Sequence, residues 1–491
     1  MFAKANNEKK FLIIDGIAIK YYFWTLLVHF RSLLFKIKTA EPLQSERINQ
    51  ITTTTMRKKI IALATTLLMV FGMSAENYPY RADYLFVTVP DHADWLYNTG
   101  ENAKIDIQFY KYGIPRDGEL KYEIAPDMLE ATERGQTQLK GGRATINIGT
   151  RAKPGFTDLR LTAKVDGKAY THHIKVGFSV DKILPWTKEP KDFMEFWQKN
   201  VNEVRKRPVK YTAEEAPEYT TDKMTCRLVK VDVDGQHSVY AYLFIPRNAA
   251  KGSCPAVLCP PGAGIKTIKE PLRHRYYGEG GCIRMEMEIH GIDPRLPDAT
   301  FREISAAFND RNGGYIANGM DNRDRSYMKH VYLALVRCLD VMTSLGEWDG
   351  KNLAVQGGSQ GGALSIIAAA LDQRVNLCVV NHPALSDMGA YSAKGVTGGY
   401  PNFRPSTGLY TPERLQTMAY YDVVNFARHL TACKVYMTWG YNDSTCSPTT
   451  SYAVWNVMRC EKEPLITPIN EHWTSEATER GHYEWIMRNL K

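Results

Sequence analysis

Three features that would point to particular chemistries are missing from this chain of 491 residues. Its nine cysteines all follow residue 225, and no two are spaced Cys-x-x-Cys, so zinc and thioredoxin-like sites are disfavoured. It has no repeat and no low-complexity tract. Residues 1–75 hold 11 Lys or Arg and 4 Asp or Glu, which leaves 51 and 49 elsewhere and a net charge there of only +2. This balance gives no reason to expect nucleic acid or an anionic membrane as a partner.

The N-terminal region does carry the pattern of an export signal. A basic stretch, Arg57–Lys59, precedes an apolar run of secretory length at residues 60–71, and small residues suited to cleavage follow. We therefore predict a signal peptide over residues 56–75 and export to the periplasm or the extracellular space. Residues 1–55 would then be an upstream extension that is not part of the natural protein.

A transmembrane anchor is the alternative, because residues 11–35 are also rich in apolar side chains. Polar or charged residues interrupt that stretch, which is unfavourable for a helix that spans a bilayer. These residues are Asp15, Lys20, His29 and Arg31. We expect no stable membrane insertion after the signal has been removed.

Residues 76–180 have the pattern of an all-β domain. Apolar and polar side chains alternate in residues 103–111, and Asp166-Gly167 lies between two such strands, which is a strong hairpin signal. We predict a small, immunoglobulin-like β-sandwich. His172 and His173 are adjacent, so on a strand they point to opposite faces and are not expected to form a metal site.

Residues 181–491 begin with a proline-containing linker, DKILPWTKEP, and then have a different pattern. Short apolar strands such as CPAVLCP, NLAVQG, NLCVV and KVYMTW alternate with helical stretches. This pattern is typical of a mostly parallel sheet covered by helices on both faces. The predicted fold class is therefore α/β, with a catalytic α/β-hydrolase domain preceded by the sandwich.

The motif that carries the chemistry is GGSQGG, residues 357–362, which contains Gly-x-Ser-x-Gly between a predicted strand and an Ala-rich helix. In this context the motif indicates a nucleophile elbow, with Ser359 on a sharp, strained turn. Gly357 and Gly361 lack the Cβ atoms that would collide where strand and helix approach each other. The backbone N–H of Gln360 would then point to where an oxyanion forms.

Two further loops supply candidates for the rest of the site. The loop PPGAG follows an earlier strand, and the N–H of Ala263 is its best second oxyanion donor, although an ordinary Pro/Gly turn explains the loop almost as well. A carboxylate that orients the base should follow a later strand, and Asp443 comes directly after the strand Lys434–Trp439. Asp387 and Asp422 compete with it, but Asp422 has the position of a helix N-cap.

The base is one of two C-terminal histidines. His472 follows a predicted last strand, residues 464–469, on the loop where an α/β-hydrolase places its base. His482 falls inside a helix that Ser475 would cap, although Gly481 before it could instead mark a loop. We predict His472 as the base and His482 as a packed helix residue.

From about residue 190 to the C-terminus the chain resembles the acetyl xylan esterase / cephalosporin C deacetylase family of α/β-hydrolases. The resemblance implies Ser359 as nucleophile, Asp443 as acid, and Gln360 and Ala263 as oxyanion donors. It also implies removal of small acyl groups, chiefly acetyl, from carbohydrate hydroxyls, with no metal or organic cofactor, and the segment INEH resembles the family's catalytic-histidine segment. The blocks that carry the resemblance are DFMEFW, MKHVYLALVRCLDVMTSLGEWDGKNLAVQGGSQGG, YYDVVNFARHL and NDSTCSPTTSYAVWN.

The chain departs from the family pattern at two places. It has Pro261-Gly262-Ala263 where the family has His-Gly-Tyr, and His290-Gly291-Ile292 where the family has Arg-Gly-Gln. The first departure alters the wall of the pocket, and the second leaves the family's subunit assembly, and with it the oligomeric state, open. Two other functions therefore remain as hypotheses. One is an esterase or peptidase that acts on another group, such as a feruloyl or methyl-glucuronoyl ester. The other is a non-catalytic carbohydrate-binding protein with a vestigial hydrolase domain.

Overall fold

The computed structural model describes residues 83–308, 314–403, 406 and 408–491, and all of them belong to one compact unit. The predicted signal peptide and upstream extension lie outside the described residues. Among the helices that are described, none combines the length and the hydropathy needed to cross a membrane.

The described chain begins with two sheets packed face to face. One sheet contains β1, β3, β4 and β7, and the other has the order β2-β9-β8-β5-β6. Apolar side chains from both sheets fill the space between them, as the alternating sequence predicted. The strands are β1 Tyr84–Pro90, β2 Leu96–Tyr97, β3 Ala103–Lys111, β4 Ile114–Pro115, β5 Gly118–Pro126, β6 Glu133–Leu139, β7 Arg143–Gly149, β8 Gly155–Val165 and β9 Lys168–Phe178.

The catalytic part is built on a nine-stranded sheet of order β10-β11-β12-β14-β13-β15-β16-β17-β18. The six strands from β14 to β18 in this order are parallel to one another. Strands β12, β11 and β10 continue the sheet beyond β14 with antiparallel pairing. The strands are β10 Tyr211–Glu215, β11 Met224–Asp232, β12 Ser238–Pro246, β13 Cys254–Cys259, β14 Ile283–Met287, β15 Trp348–Gly358, β16 Leu377–Asn381, β17 Lys434–Trp439 and β18 Lys462–Ile466.

Helices cover this sheet, so its central strands are buried and read as continuous apolar runs in the sequence. The helices are α1 Phe193–Arg205, α2 Tyr276–Glu279, α3 Asp298–Phe308, α4 Gly314–Ala317, α5 Tyr327–Ser344, α6 Gln360–Leu371, α7 Pro412–Tyr421, α8 Val423–Ala427, α9 Pro448–Val457 and α10 Glu476–Arg488. The predicted fold class, an α/β domain preceded by an all-β sandwich, is confirmed.

The last strand ends earlier than the sequence indicated. We predicted residues 464–469, but β18 ends at Ile466, because the N–H of Asn470 bonds the carbonyl of Thr467 at 2.9 Å and turns the chain away from the sheet. Ile469 consequently lies 68% exposed rather than in the sheet. The base candidate therefore lies on a longer loop than predicted, and α10 begins after it with Ser475 as the N-cap, as predicted.

Candidate active site

Ser359 lies at the turn between β15 and α6, where the backbone is strained. Its φ of 58° and ψ of −123° are unusual for a residue with a side chain and cost on the order of 1–3 kcal/mol. The Ser359 N–H donates to the carbonyl of Asn381 at 3.0 Å, and the Ser359 carbonyl accepts from the N–H of Ala384 at 3.0 Å. These bonds to the segment after β16 hold the strained turn in place.

The glycines on both sides of Ser359 are required by close backbone contacts. A Cβ atom on Gly357 would lie 2.5 Å from the carbonyl oxygen of Gly361. A Cβ atom on Gly361 would lie 2.4 Å from the carbonyl oxygen of Pro260. Because these neighbours are backbone atoms, no rotamer change could relieve either clash, and the elbow accepts only glycine at both positions.

Ser359, His472 and Asp443 form a continuous chain of polar contacts. His472 Nε2 lies 3.1 Å from Ser359 Oγ, and His472 Nδ1 lies 2.8 Å from Asp443 Oδ2. An ionised carboxylate can only accept, so Nδ1 carries the proton in this arrangement and Nε2 is free to accept one from the hydroxyl. The fold thus brings together three residues that the sequence placed on separate loops.

The carboxylate of Asp443 is completely buried and held from two sides. Its Oδ1 accepts the backbone N–H groups of Thr445 at 2.7 Å and Cys446 at 2.8 Å, which leaves Oδ2 for His472. These two bonds fix the rotamer of Asp443 and satisfy a buried charge. We refer to residues 440–446, which follow β17, as the acid loop.

The acid loop lies against residues 467–475, which we call the base loop because it carries His472. The N–H groups of Tyr441 and Asn442 donate to carbonyls of the base loop at 3.2 and 3.1 Å. A Cβ atom on Gly440 would lie 2.1 Å from the carbonyl oxygen of Asn470, so this approach requires glycine. The positions of acid and base are therefore set jointly.

The loop that carries the predicted second oxyanion donor, residues 260–264, is tied to the elbow by a tyrosine. The hydroxyl of Tyr315 accepts from the Gly264 N–H at 3.1 Å and donates to Oε1 of Gln360 at 2.6 Å. Within the part of the chain that the structure describes, no bond occupies the N–H groups of Ala263 and Gln360. These N–H groups remain available to an oxygen atom on a substrate.

His290, which departs from the family's Arg-Gly-Gln pattern, supports the same loop. Its Nε2 lies 3.3 Å from the Gly264 carbonyl, and its Nδ1 lies 2.7 Å from the hydroxyl of Tyr327. Burial lowers the pKa of His290 to about 4, so the imidazole is neutral near pH 7. A neutral histidine therefore packs beneath the oxyanion loop and carries no charge for an ion pair.

A cavity of about 380 Å³ opens beside the elbow and is lined in part by Gly262 and Gly358. Its wall combines apolar surface with charged side chains of both signs. Among them are Lys266, Arg273, Arg284, Glu286 and Glu479. These charged side chains offer hydrogen-bond donors and acceptors beside the elbow.

His382 is a part of the site that sequence reasoning missed. It follows β16, is buried, and its ring lies against that of His472 with the centroids 4.3 Å apart. Burial and the neighbouring His472 lower the pKa of His382 to about 4. The position directly after a parallel strand was the signal that could have identified it.

Nitrogen and oxygen atoms of His382, Asp443 and His472 all lie within 4.8 Å of one another, a spacing that could hold a metal ion. However, His472 and Asp443 already bond each other, and the second oxygen of Asp443 accepts two N–H groups. A cation at this position would have to compete with the contact that orients His472.

The competing candidates are engaged elsewhere. Asp422 caps α8, where its side chain accepts the N–H of Val424, and it also accepts the N–H of Asp387 at 2.8 Å. Asp387 accepts the N–H groups of residues 186 and 187 in the linker. His482 is buried inside α10 and lies 3.1 Å from the hydroxyl of Thr438. Of the two C-terminal histidines, His472 is the one that contacts Ser359.

Comparison with known proteins agrees with the family that the sequence motifs resemble. The acetyl xylan esterase (AXE1) family model matches residues 179–489. Acetyl esterase Axe7A of Xylanibacter ruminicola is 55% identical over 439 residues, which cover 89% of this chain and 98% of that protein. Because the match is longer than residues 181–491, it also extends into the region that precedes the catalytic part.

Solved structures show the same fold at low sequence identity. An acetyl xylan esterase from Paenibacillus sp. R4 superposes with a TM-score of 0.56 at 23% identity, covering 63% of this chain and 98% of that one. Acetyl xylan esterase 1 from Thermoanaerobacterium sp. superposes with a TM-score of 0.52 at 20% identity, covering 63% and 97%. The chain belongs to the acetyl xylan esterase family and is a serine carboxylic-ester hydrolase with an α/β-hydrolase fold.

Proposed function

We propose that this enzyme removes acetyl groups from acetylated xylan or related oligosaccharides by two-step acyl transfer, with Ser359 as nucleophile, His472 as base and Asp443 as the orienting acid. The observation that carries the proposal is the continuous contact from Ser359 Oγ through His472 to Asp443 at a strained strand–helix turn. The family membership and the acetyl esterase relative support the choice of bond.

In the first step, His472 Nε2 takes the proton of Ser359 as Oγ attacks the ester carbonyl. The carbonyl oxygen becomes an oxyanion between the N–H groups of Gln360 and Ala263, and Asp443 stabilises the imidazolium. The bond to the sugar oxygen then breaks, and that oxygen leaves with the proton from Nε2. The products are an acetyl-Ser359 ester and the free sugar hydroxyl.

In the second step, water takes the place of the sugar alcohol. His472 accepts a proton from the water, whose oxygen attacks the acetyl carbonyl and forms a second oxyanion at the same two N–H groups. The intermediate collapses, acetate leaves, and Oγ regains its proton from His472. Apart from this water, the proposed cycle uses the groups of Ser359, Gln360, Ala263, His472 and Asp443.

The cavity beside the elbow supports a carbohydrate as the alcohol part of the ester. Its charged lining, which includes Lys266, Arg273 and Glu286, offers donors and acceptors to sugar hydroxyls. The same lining would leave polar groups unpaired against a long aliphatic chain, which is costly. We therefore propose that the sugar extends from Ser359 into this cavity, whose lining includes the adjacent Gly358.

We expect a preference for short acyl groups. With p-nitrophenyl esters, kcat/KM should be about tenfold or more higher for acetate than for butyrate or longer chains, since each misfitting methylene typically changes discrimination by about 10- to 200-fold. The decisive measurement is acetate release from a panel of acetylated oligosaccharides, with Ser359→Ala as the blank.

Faster turnover of bulky esters would instead favour the feruloyl or methyl-glucuronoyl hypothesis. A protein that hydrolyses no ester in a Ser359-dependent manner would favour the non-catalytic hypothesis. The two results are separate, because only the second also removes activity on p-nitrophenyl acetate.

We further propose that residues 1–55 precede the natural start, that residues 56–75 are a cleaved signal, and that the exported enzyme comprises a sandwich over residues 76–180 and a catalytic domain over residues 181–491. The support is the basic, apolar and small-residue pattern of residues 57–75. N-terminal sequencing of protein recovered outside the cytoplasm should give a start close to residue 76. A start before Met56 would contradict this organisation.

A further inference from the structure

The β-sandwich is in direct contact with the loop that carries the acid. The ring of Tyr441 in the acid loop lies 5.1 Å from that of Phe156 and 6.5 Å from that of Trp95, centroid to centroid, and both of these residues come from the sandwich region. Phe156 belongs to the same buried cluster as the core of the catalytic part. The sandwich is thus continuous with the structure around the active site.

Strand β9 presents a buried lysine to this contact. Near the end of the strand, Ile174, Val176 and Phe178 enter the core of the sandwich. Because side chains alternate along a strand, Lys175 points to the opposite face, towards the acid loop. The side chain of Lys175 is 0% exposed. A buried ammonium group is costly unless a negative charge and hydrogen-bond acceptors surround it.

The partners of Lys175 include the acid residue itself. Its Nζ donates to the backbone carbonyl of Asp443 at 2.6 Å, and its backbone N–H donates to Oδ1 of Asn442 at 2.9 Å. The charge is balanced by Asp127, whose Oδ1 lies 2.9 Å from Nζ as an ion pair without hydrogen-bond alignment. Strand β9 therefore holds two consecutive residues of the acid loop.

The aspartate of this ion pair extends the contact to the helix that follows the acid loop. Oδ2 of Asp127 accepts from the hydroxyl of Thr449 at 2.7 Å, near the start of α9. Asn442, which accepts the backbone N–H of Lys175, also bonds the base loop through its own N–H and its side-chain amide. The pair thus lies where the sandwich, the acid loop and α9 meet.

We propose that Lys175 is a positioning residue for the reaction: it fixes the backbone of Asp443 from the sandwich side so that Oδ2 faces His472. This inference rests on the catalytic roles proposed above. Lys175 contacts neither Ser359 nor His472, so it acts only through Asp443. The two bonds to Oδ1 of Asp443 set the side-chain rotamer, and the bond to its carbonyl sets the main chain from which that rotamer projects.

The test replaces both members of the ion pair, so that neither is left buried without the other. In the full chain, Lys175→Met with Asp127→Asn keeps the volume and the acceptor for Thr449, and the loss of a buried pair is often tolerated when both partners are neutral. We expect the double variant to melt close to the parent. We also expect kcat on p-nitrophenyl acetate to fall by about 10- to 100-fold, because small displacements of catalytic groups have effects of this size. KM should change by less than about twofold, since substrate binding groups are untouched.

A matched pair in the same sandwich serves as the control. Lys111 and Asp166 also form an ion pair, at 2.8 Å, but on the surface and away from the acid loop. Lys111→Met with Asp166→Asn should leave kcat and KM unchanged. If the Lys175 double variant melts like the parent and keeps kcat within about twofold of it, the lysine is only structural and the proposal is wrong.

A second variant covers the case in which the double variant does not fold. Lys175→Gln with Asp127→Asn removes the charges but keeps a polar side chain opposite residue 127, and the shorter Gln side chain lacks the ammonium group that bonds the Asp443 carbonyl. We expect kcat to fall again with little change in KM, and an unchanged kcat in this folded variant would also overturn the proposal. Absence of Ser359-dependent turnover in the parent would count against the proposed function instead, because the effect of Lys175 is measured only as the ratio of variant to parent.

Discussion

Replacement of Ser359 by alanine should lower kcat by about a millionfold, the size of effect that loss of the nucleophile has in serine hydrolases. Only Oγ is removed, and alanine keeps the Cβ atom, so the strained backbone conformation at position 359 is the same as with serine. The bonds of the elbow to Asn381 and Ala384 involve backbone atoms and should persist. The variant should therefore fold normally and bind substrate, with its defect confined to the chemical step.

Turnover of p-nitrophenyl acetate and the thermal midpoint, measured together, check this prediction. Ser365→Ala is the matched control, because Ser365 lies on the same helix and its hydroxyl only bonds the carbonyl of Gly361 at 2.8 Å. That variant should retain most of its activity. Substantial esterase activity in purified Ser359→Ala would show that another group is the nucleophile.

The second large effect distinguishes the two C-terminal histidines. His472→Ala should lower kcat to about the same extent as Ser359→Ala, because residues that act as one unit are not additive and loss of either disables the attack. The double variant Ser359→Ala with His472→Ala should then be little worse than either single variant. An additive loss in the double variant would mean that the two residues act separately.

His482→Ala is the control for the histidine substitution and should leave most of the activity. Burial lowers the pKa of His482 to about 4, so it is a poor proton acceptor near pH 7, and its contact is with Thr438 rather than Ser359. Its removal should lower the thermal midpoint, since a buried side chain and its hydrogen bond are lost. If His482→Ala abolished turnover in a folded protein and His472→Ala did not, the assignment of the base would be reversed.

The nucleophile turn and the two other residues of the polar contact chain, which follow strands in the sequence, could be predicted, because local patterns in the sequence specify them. The glycines around Ser359 are dictated by backbone contacts within a few residues, and Asp443 and His472 follow strands whose apolar runs are easily recognised. The end of β18 was wrong by three residues, because it depends on a turn at Thr467 that the apolar Ile469 obscures. Local patterns identify the elements but not the point at which a strand leaves the sheet.

The contribution of the sandwich could not be predicted from the sequence. Lys175 lies in an alternating strand and reads as an ordinary solvent-facing lysine, and its partner Asp443 is 268 residues away. His382 could have been noticed from its place after β16, but its contact with His472 depends on how the base loop packs. Such contacts depend on how distant segments pack, and a single sequence contains no periodic signal for them.

The contact through Phe156 and Lys175 also bears on where the gene can be divided. The match to the family model starts at residue 179, directly after β9 ends at Phe178. An expression fragment cut at that boundary would leave Tyr441 without its sandwich partners and the Asp443 carbonyl without its donor. In this chain the functional unit is therefore expected to be longer than the segment that matches the family model, and a fragment that starts at residue 179 should be weakly active or poorly soluble.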